Sequence, residues 1–123
     1  MAKRVLVVDD EPNIVMSLEF LMRRAGFEVA VARDGREAVA ALDGAPPDLV
    51  LLDVMMPGFD GYEVCGRVRA KPEWKATKIV MLTARGRESE RERGLKLGAD
   101  AYVTKPFSTR DLVEQVKRML GEA

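Results

Sequence analysis

The chain has 123 residues, with 20 Lys and Arg balanced by 20 Asp and Glu, one Cys and no His. That length makes one domain of ordinary size (1–123), and the even charge without a long basic cluster excludes strong nonspecific binding of nucleic acid. No apolar stretch approaches the roughly 20 residues of a membrane span and no signal-peptide pattern opens the chain, so a soluble cytoplasmic protein is expected.

Short apolar runs alternate with amphipathic segments, the pattern of a parallel sheet with helices on both faces. The runs at 5–8, 29–32, 49–52, 79–82 and 101–104 read as five strands. After the first, Pro12 suits the opening turn of a helix, and Ile14, Leu18, Leu21, Met22 and Ala25 recur at helical spacing before a stop at Gly26. Asp34 with Glu37 gives a capping-box pattern for a second helix facing inward through Ala38, Val39 and Leu42, and Pro46 with Pro47 ends that unit. Asp60 with Glu63 repeats the pattern for a third, with Val64, Cys65 and Val68 inward, until Lys71 and Pro72 break it. The lone Cys65 cannot form an intramolecular disulfide and reads as a small buried hydrophobe.

The fourth helix, between Gly86 and Gly98, is almost entirely charged. Only Leu95, Leu97 and the face of Gly94 are available to anchor it, so it is expected to be the least firmly held. Ser108 with Asp111 caps the last helix, where Leu112, Val113, Val116, Met119 and Leu120 form a strong apolar stripe. The expected fold is α/β: a doubly wound five-stranded parallel sheet in the order 2-1-3-4-5 with five flanking helices, flavodoxin-like.

In that order the topological switch lies between strands 1 and 3, and ligands bind beyond the carboxyl ends of the strands there. Asp9 and Asp10 follow the first run and Asp53 follows the third, so one acidic pocket is expected. Each like-charge pair at ~4 Å costs about 1 kcal/mol in water and about 4 kcal/mol at an effective dielectric near 20, which a hard cation with oxygen ligands would offset. Singly, each residue has a plainer role: 9–11 complements a helix dipole, and Asp53 starts a turn before Met56, Pro57 and Gly58. Thr83 and Lys105, after strands 4 and 5, favour the joint reading. A hydroxyl can donate to a phosphoryl oxygen, and an ammonium is a compact charge suited to an anion beside a cation. The bond from Lys105 to Pro106 is a candidate cis peptide that would turn the lysine into the pocket.

The set Asp9, Asp10, Asp53, Thr83 and Lys105-Pro106-Phe107, with the text around each, resembles the receiver domain of two-component response regulators over essentially the whole chain. The resemblance implies a phosphorylation switch in which Asp53 accepts a phosphoryl group from a phosphohistidine on a sensor histidine kinase or phosphotransfer protein. It implies Mg²⁺, with Mn²⁺ as an alternative, held directly by Asp10 and Asp53, through water by Asp9, and by the backbone carbonyl of Met55. Lys105 and the backbone N–H of Ala84 would meet the phosphoryl group. Thr83 and Tyr102 would act as the switch, remodelling the face of helix 4, strand 5 and helix 5. Met55 and Arg85 flank the site and would tune dephosphorylation. Beyond self-phosphorylation and self-dephosphorylation, no enzyme activity is implied.

The downstream effector is open: the chain reads either as a stand-alone regulator or as a receiver excised from a longer DNA-binding regulator, itself touching neither nucleic acid nor membrane. Residues 94–100 resemble the transcription-factor subfamily that dimerises through the helix 4, strand 5, helix 5 face. Ala101 and Gln115 replace residues of that subfamily's intersubunit ion pairs, leaving Asp100, Asp111 and Arg118 as partners. A monomer or weak dimer is expected, dimerising on phosphorylation. A flavin binder would need a hydroxyl- and glycine-rich phosphate loop where this chain has Asp-Asp-Glu-Pro, and a dehalogenase-type phosphatase would need Asp where it has Met55. The third alternative, an interaction domain that merely keeps the fold, would not need the full Asp, Thr and Lys set.

Overall fold

The computed structural model describes residues 3–54, 60–84, 91–105 and 107–121. Met55, Arg85 and the Lys105–Pro106 peptide, each assigned a role from the sequence, lie outside them. Strands β1 (Arg4–Val8), β2 (Glu28–Ala32), β3 (Leu49–Asp53), β4 (Lys78–Ala84) and β5 (Ala101–Lys105) pair in parallel in the order β2-β1-β3-β4-β5, as the sequence predicts. Helices α1 (Pro12–Arg24), α2 (Gly35–Gly44), α3 (Gly61–Ala70), α4 (Arg91–Lys96) and α5 (Thr109–Met119) connect and follow them, with a 3-10 turn at Pro72–Trp74.

Period-two alternation along the strands sorts the core into two layers. Leu6, Val8, Val50, Leu52, Ile79 and Met81 face α2 and α3, where Ala38, Leu42, Val64, Cys65 and Val68 meet them. Val5, Val7, Leu49, Leu51, Val80 and Leu82 face α1 and α5, against Leu18, Met22, Leu112 and Val116. All five residues of β3 are buried, as a central strand covered on both sides requires.

The helix starts follow the side chains that cap them. Asp34 accepts from the Glu37 N–H at 2.9 Å, Asp60 from the Glu63 N–H at 2.9 Å and Ser108 Oγ from the Asp111 N–H at 3.2 Å. Glu37 reaches back to the N–H of Arg33 (3.1 Å), one residue upstream of the usual capping-box donor. Gly26, at φ +97°, ends α1 in a Schellman turn: Phe27 N–H donates to Met22 C=O and Gly26 N–H to Arg23 C=O.

Four sequence expectations change. Hydrogen bonding carries β3, β4 and β5 one or two residues past their apolar runs, so Asp53, Thr83, Ala84 and Lys105 are the last residues of strands rather than loop residues. On α1 the fully buried stripe is Val15, Leu18 and Met22, with Ile14, Leu21 and Ala25 at its half-buried margin. Leu95 of α4 and Leu97 just past it do not anchor the helix: they are 40% and 36% exposed, and of the three expected anchors only Gly94 is buried, its missing side chain permitting close approach to Met81.

Asp100, expected as an intersubunit partner, is engaged within the chain. Its Oδ2 accepts from Arg69 Nη2 at 2.7 Å and from the Ile79 N–H at 2.8 Å. The same guanidinium donates from Nε to Gly98 C=O and from Nη1 to Thr77 C=O, both at 2.8 Å. Arg69 therefore ties the end of α3 to the turns that enter β4 and leave α4.

Candidate functional site

The sheet order makes β1 and β3 neighbours, and the register Val8↔Leu52 brings Asp9 alongside Asp53 at the carboxyl edge. Asp9, Asp10 and Asp53 each offer a carboxylate oxygen, and these oxygens lie within 4.8 Å of one another. Asp9 is fully buried, Asp53 is 6% exposed and Asp10 is exposed.

Alternation also decides which side chains meet. Asp9, Asp53 and Lys105 share the parity of the α1/α5 face, since Val7, Leu51 and Val103 precede them by two residues on that face. Lys105 Nζ accordingly donates to Asp9 Oδ2 at 3.1 Å and reaches Asp53 Oδ1 at 3.5 Å. Asp9 Oδ1 accepts the N–H of Glu11 at 2.9 Å, so both its oxygens are engaged. Among the described residues no hydrogen-bond partner reaches the Asp10 carboxylate, which stands open at the rim of the cluster.

Among the described residues three carboxylates gather around one ammonium, an acidic excess in a partly desolvated site. An all-oxygen donor set with that charge and one open carboxylate fits a hard divalent cation such as Mg²⁺, which binds through one or two carboxylates and keeps waters. Among the described residues no histidine or cysteine joins the cluster, so a tetrahedral zinc site does not fit.

Thr83 has the opposite parity. It follows Met81 on β4, on the face shared with α3 and α4, and pairs in register with Thr104. Its residue is 1% exposed, and Oγ1 is the buried side-chain polar atom without a hydrogen-bond partner among the described residues. Met81 Sδ stands 2.6 Å, and Tyr102 Cδ2 3.7 Å, from where a Cβ on Gly94 would sit. Thr83, Met81, Tyr102 and α4 therefore form one layer. Arg93 of α4 lies over the Tyr62 ring of α3 at 4.1 Å, adding a cation–π contact of about 0.5 to 1 kcal/mol. Ala84 ends β4 opposite Lys105.

A family model for the response regulator receiver domain matches residues 5–117. The chain belongs to that family. The receiver domain is similar to a putative response regulator from Chloroflexus aurantiacus, with 40% identity over 98% of this chain and 99% of that one and a TM-score of 0.94. It is also similar to the chemotaxis protein CheY4 of Vibrio cholerae, at 34% identity, 97% and 99% coverage and a TM-score of 0.90. The response regulator TrrA from Thermotoga maritima, in complex with Mg²⁺-BeF, matches at 41% identity, 95% and 98% coverage and a TM-score of 0.84.

Sequence reasoning missed the Glu11 amide as the donor that orients Asp9. The signal was available, because an Asp just before a helix commonly accepts the N–H two residues on. Cys65 takes no part in the site: burial pushes its thiol up to about 11 against the opposing pull of Arg69, with Asp100 adding to the rise, and its Sγ lies 3.6 Å from Leu97 C=O. That microenvironment suppresses the thiolate and leaves the residue inert. Among the described residues no helix is long and apolar enough to cross a membrane.

Proposed function

We propose that this receiver domain is a phosphorylation-activated switch in which Asp53 is the phosphoacceptor. The observation that carries the reading is the convergence of Asp9, Asp10 and Asp53 at one strand edge, with Lys105 bridging Asp9 and Asp53. An oxygen of the Asp53 carboxylate attacks phosphorus, the bond from phosphorus to the donor imidazole nitrogen breaks, and that nitrogen keeps the electron pair. The donor is a phosphohistidine of a sensor histidine kinase or phosphotransfer protein. Little covalent machinery is needed beyond positioning and charge neutralisation, since the transferring group carries its charge on its outer oxygens.

Asp10 and Asp53 would hold Mg²⁺, or Mn²⁺, directly, and Asp9, whose oxygens are already engaged, through water, with the Met55 carbonyl completing the set. When bound, the cation offsets charge on the phosphoryl oxygens and the carboxylates together. The Mg²⁺-BeF complex of TrrA supports such a site in a similar chain. Lys105, held by Asp9, presents its ammonium where a phosphoryl oxygen would sit beside Asp53, and the Ala84 N–H is the nearby backbone donor.

Thr83 then supplies the readout. Its buried hydroxyl, without a partner among the described residues, gains one when it turns toward the phosphoryl group, and the move vacates space in the layer shared with Tyr102 and α4. The exposed Leu95 and Leu97 and the half-buried Tyr102 make α4, β5 and α5 the output face toward a downstream effector or a second phosphorylated copy.

Incubation with Mg²⁺ and acetyl phosphate, followed by intact-mass comparison of wild type and Asp53→Asn, tests the assignment. A labile phosphoryl adduct on wild type alone is expected. No adduct on wild type, or an equal one on the variant, overturns it.

A further inference from the structure

The segment after β3 is clamped on both sides. Val54 N–H donates to Leu82 C=O on β4 and Val54 C=O accepts the N–H of Gly61, both at 3.0 Å. Gly61 is the buried first residue of α3 and sits against the backbone that carries the phosphoacceptor. A Cβ at that position would lie 2.5 Å from the Asp53 carbonyl oxygen, 2.8 Å from Val54 Cα and 3.1 Å from the Asp53 carbonyl carbon.

Those three neighbours are main-chain atoms at the end of a central strand, which cannot swing aside as the tip of a flexible side chain can. Gly61 is not among the glycines with positive φ, so the constraint is space rather than backbone conformation. The helix has little freedom to retreat. Its start is held by the Asp60 cap, and Tyr62, Val64, Cys65 and Val68 beneath it are all at most 4% exposed. A side chain at 61 must therefore displace the Asp53–Val54 peptide, and with it the carboxylate that Lys105 reaches at 3.5 Å.

We propose that Gly61 is a positioning residue for the phosphoryl-acceptor site: by bringing the first turn of α3 into main-chain contact with Asp53, it sets where that carboxylate lies relative to Asp9, Asp10 and Lys105. The inference rests on the reading of Asp53 as phosphoacceptor. A misplacement of about 1 Å can slow a positioned reaction on the order of 100-fold. Gly66, on the same helix, has nothing within 4 Å of its would-be Cβ and provides the matched control.

The test compares Gly61→Ala and Gly66→Ala for Mg²⁺ affinity and for the rate of adduct formation from acetyl phosphate at saturating Mg²⁺, each also in the Asp53→Asn background for Mg²⁺ affinity. Gly61→Ala is expected to slow the reaction about 10- to 100-fold. It should weaken Mg²⁺ binding in the wild-type background and much less when Asp53 is already replaced, because the two changes act through one group. Gly66→Ala should leave both quantities unchanged. A wild-type rate for Gly61→Ala, or an equal loss of Mg²⁺ affinity in both backgrounds, overturns the inference. Should Gly61→Ala not fold, the Gly61 amide resonance of the unsubstituted protein decides: it should move on Mg²⁺ addition and stay still in Asp53→Asn, and no movement in either overturns the proposal. A wild type that forms no adduct refutes the phosphoacceptor reading itself, whereas a reactive wild type matched by an equally reactive Gly61→Ala refutes only the role of Gly61.

Discussion

At the scale of single residues, the parity of the strands divides the labour. Lys105 shares a face with Asp9 and Asp53 and spends its charge on them, while Thr83 faces the layer of Met81, Tyr102 and α4. Leaving a hydroxyl buried without a partner costs about 1 to 3 kcal/mol. Among the described residues the Thr83 hydroxyl is such a group, a penalty that turning toward a phosphoryl oxygen would relieve. Thr83→Val keeps the shape and removes the hydroxyl. It is expected to raise the unfolding free energy of the unphosphorylated protein by about 1 kcal/mol, the low end of that range, as measured by urea titration. It should still accept phosphate at Asp53, yet lose the phosphorylation-dependent change in amide exchange across 91–105. A destabilised Thr83→Val, or an unchanged exchange response, would contradict this role.

Among the elements, α4 differs from the rest in how it is held. Its six residues bury only Gly94, its leucine is exposed, and its lateral tie to α3 is the stack of Arg93 on Tyr62. Moving it exposes little apolar surface, as a bistable element requires. Its far end is fixed more firmly. Gly98, at φ +108°, closes a Schellman turn in which Ala99 N–H donates to Gly94 C=O, and Arg69 fastens that turn through Gly98 C=O and Asp100. Arg69→Lys retains the charge but not the planar fork that serves Gly98, Thr77 and Asp100 together. A loss of about 2 kcal/mol in urea unfolding is expected, the scale of a hydrogen bond to a charged group, with faster amide exchange at 97–100. An unchanged midpoint with Lys would show that charge alone suffices there.

For the whole molecule, the features legible in the sequence are those that a local pattern carries. Alternation and capping residues mark five strands and their helices, and doubly wound topology then dictates that residues ending strands 1, 3, 4 and 5 share one edge. Asp9, Asp53, Thr83 and Lys105 were readable for that reason. Gly61 and Arg69 were not, because their roles depend on how closely separate elements approach, and a glycine announces such approach only by lacking a side chain, as the face of Gly94 did. Leu95 of α4 and Leu97 just past it misled for the complementary reason: hydrophobicity marks a candidate anchor, but the helix comes nearest the sheet where nothing intervenes. The edge so assembled has a consequence for global stability. Among the described residues folding gathers three carboxylates with one ammonium, and a cation that binds only the folded cluster must stabilise the fold. At one hundred times its dissociation constant, Mg²⁺ should add about 2.7 kcal/mol, and each further tenfold about 1.4 kcal/mol. For a domain of this size that corresponds to a rise on the order of 10 °C in thermal midpoint, reversed by chelator. Asp53→Asn removes one negative charge and one ligand from the site, so the same titration should shift its midpoint less. A wild-type midpoint indifferent to millimolar Mg²⁺ would remove the cation from the site and with it the charge balance that the proposed phosphorylation of Asp53 requires.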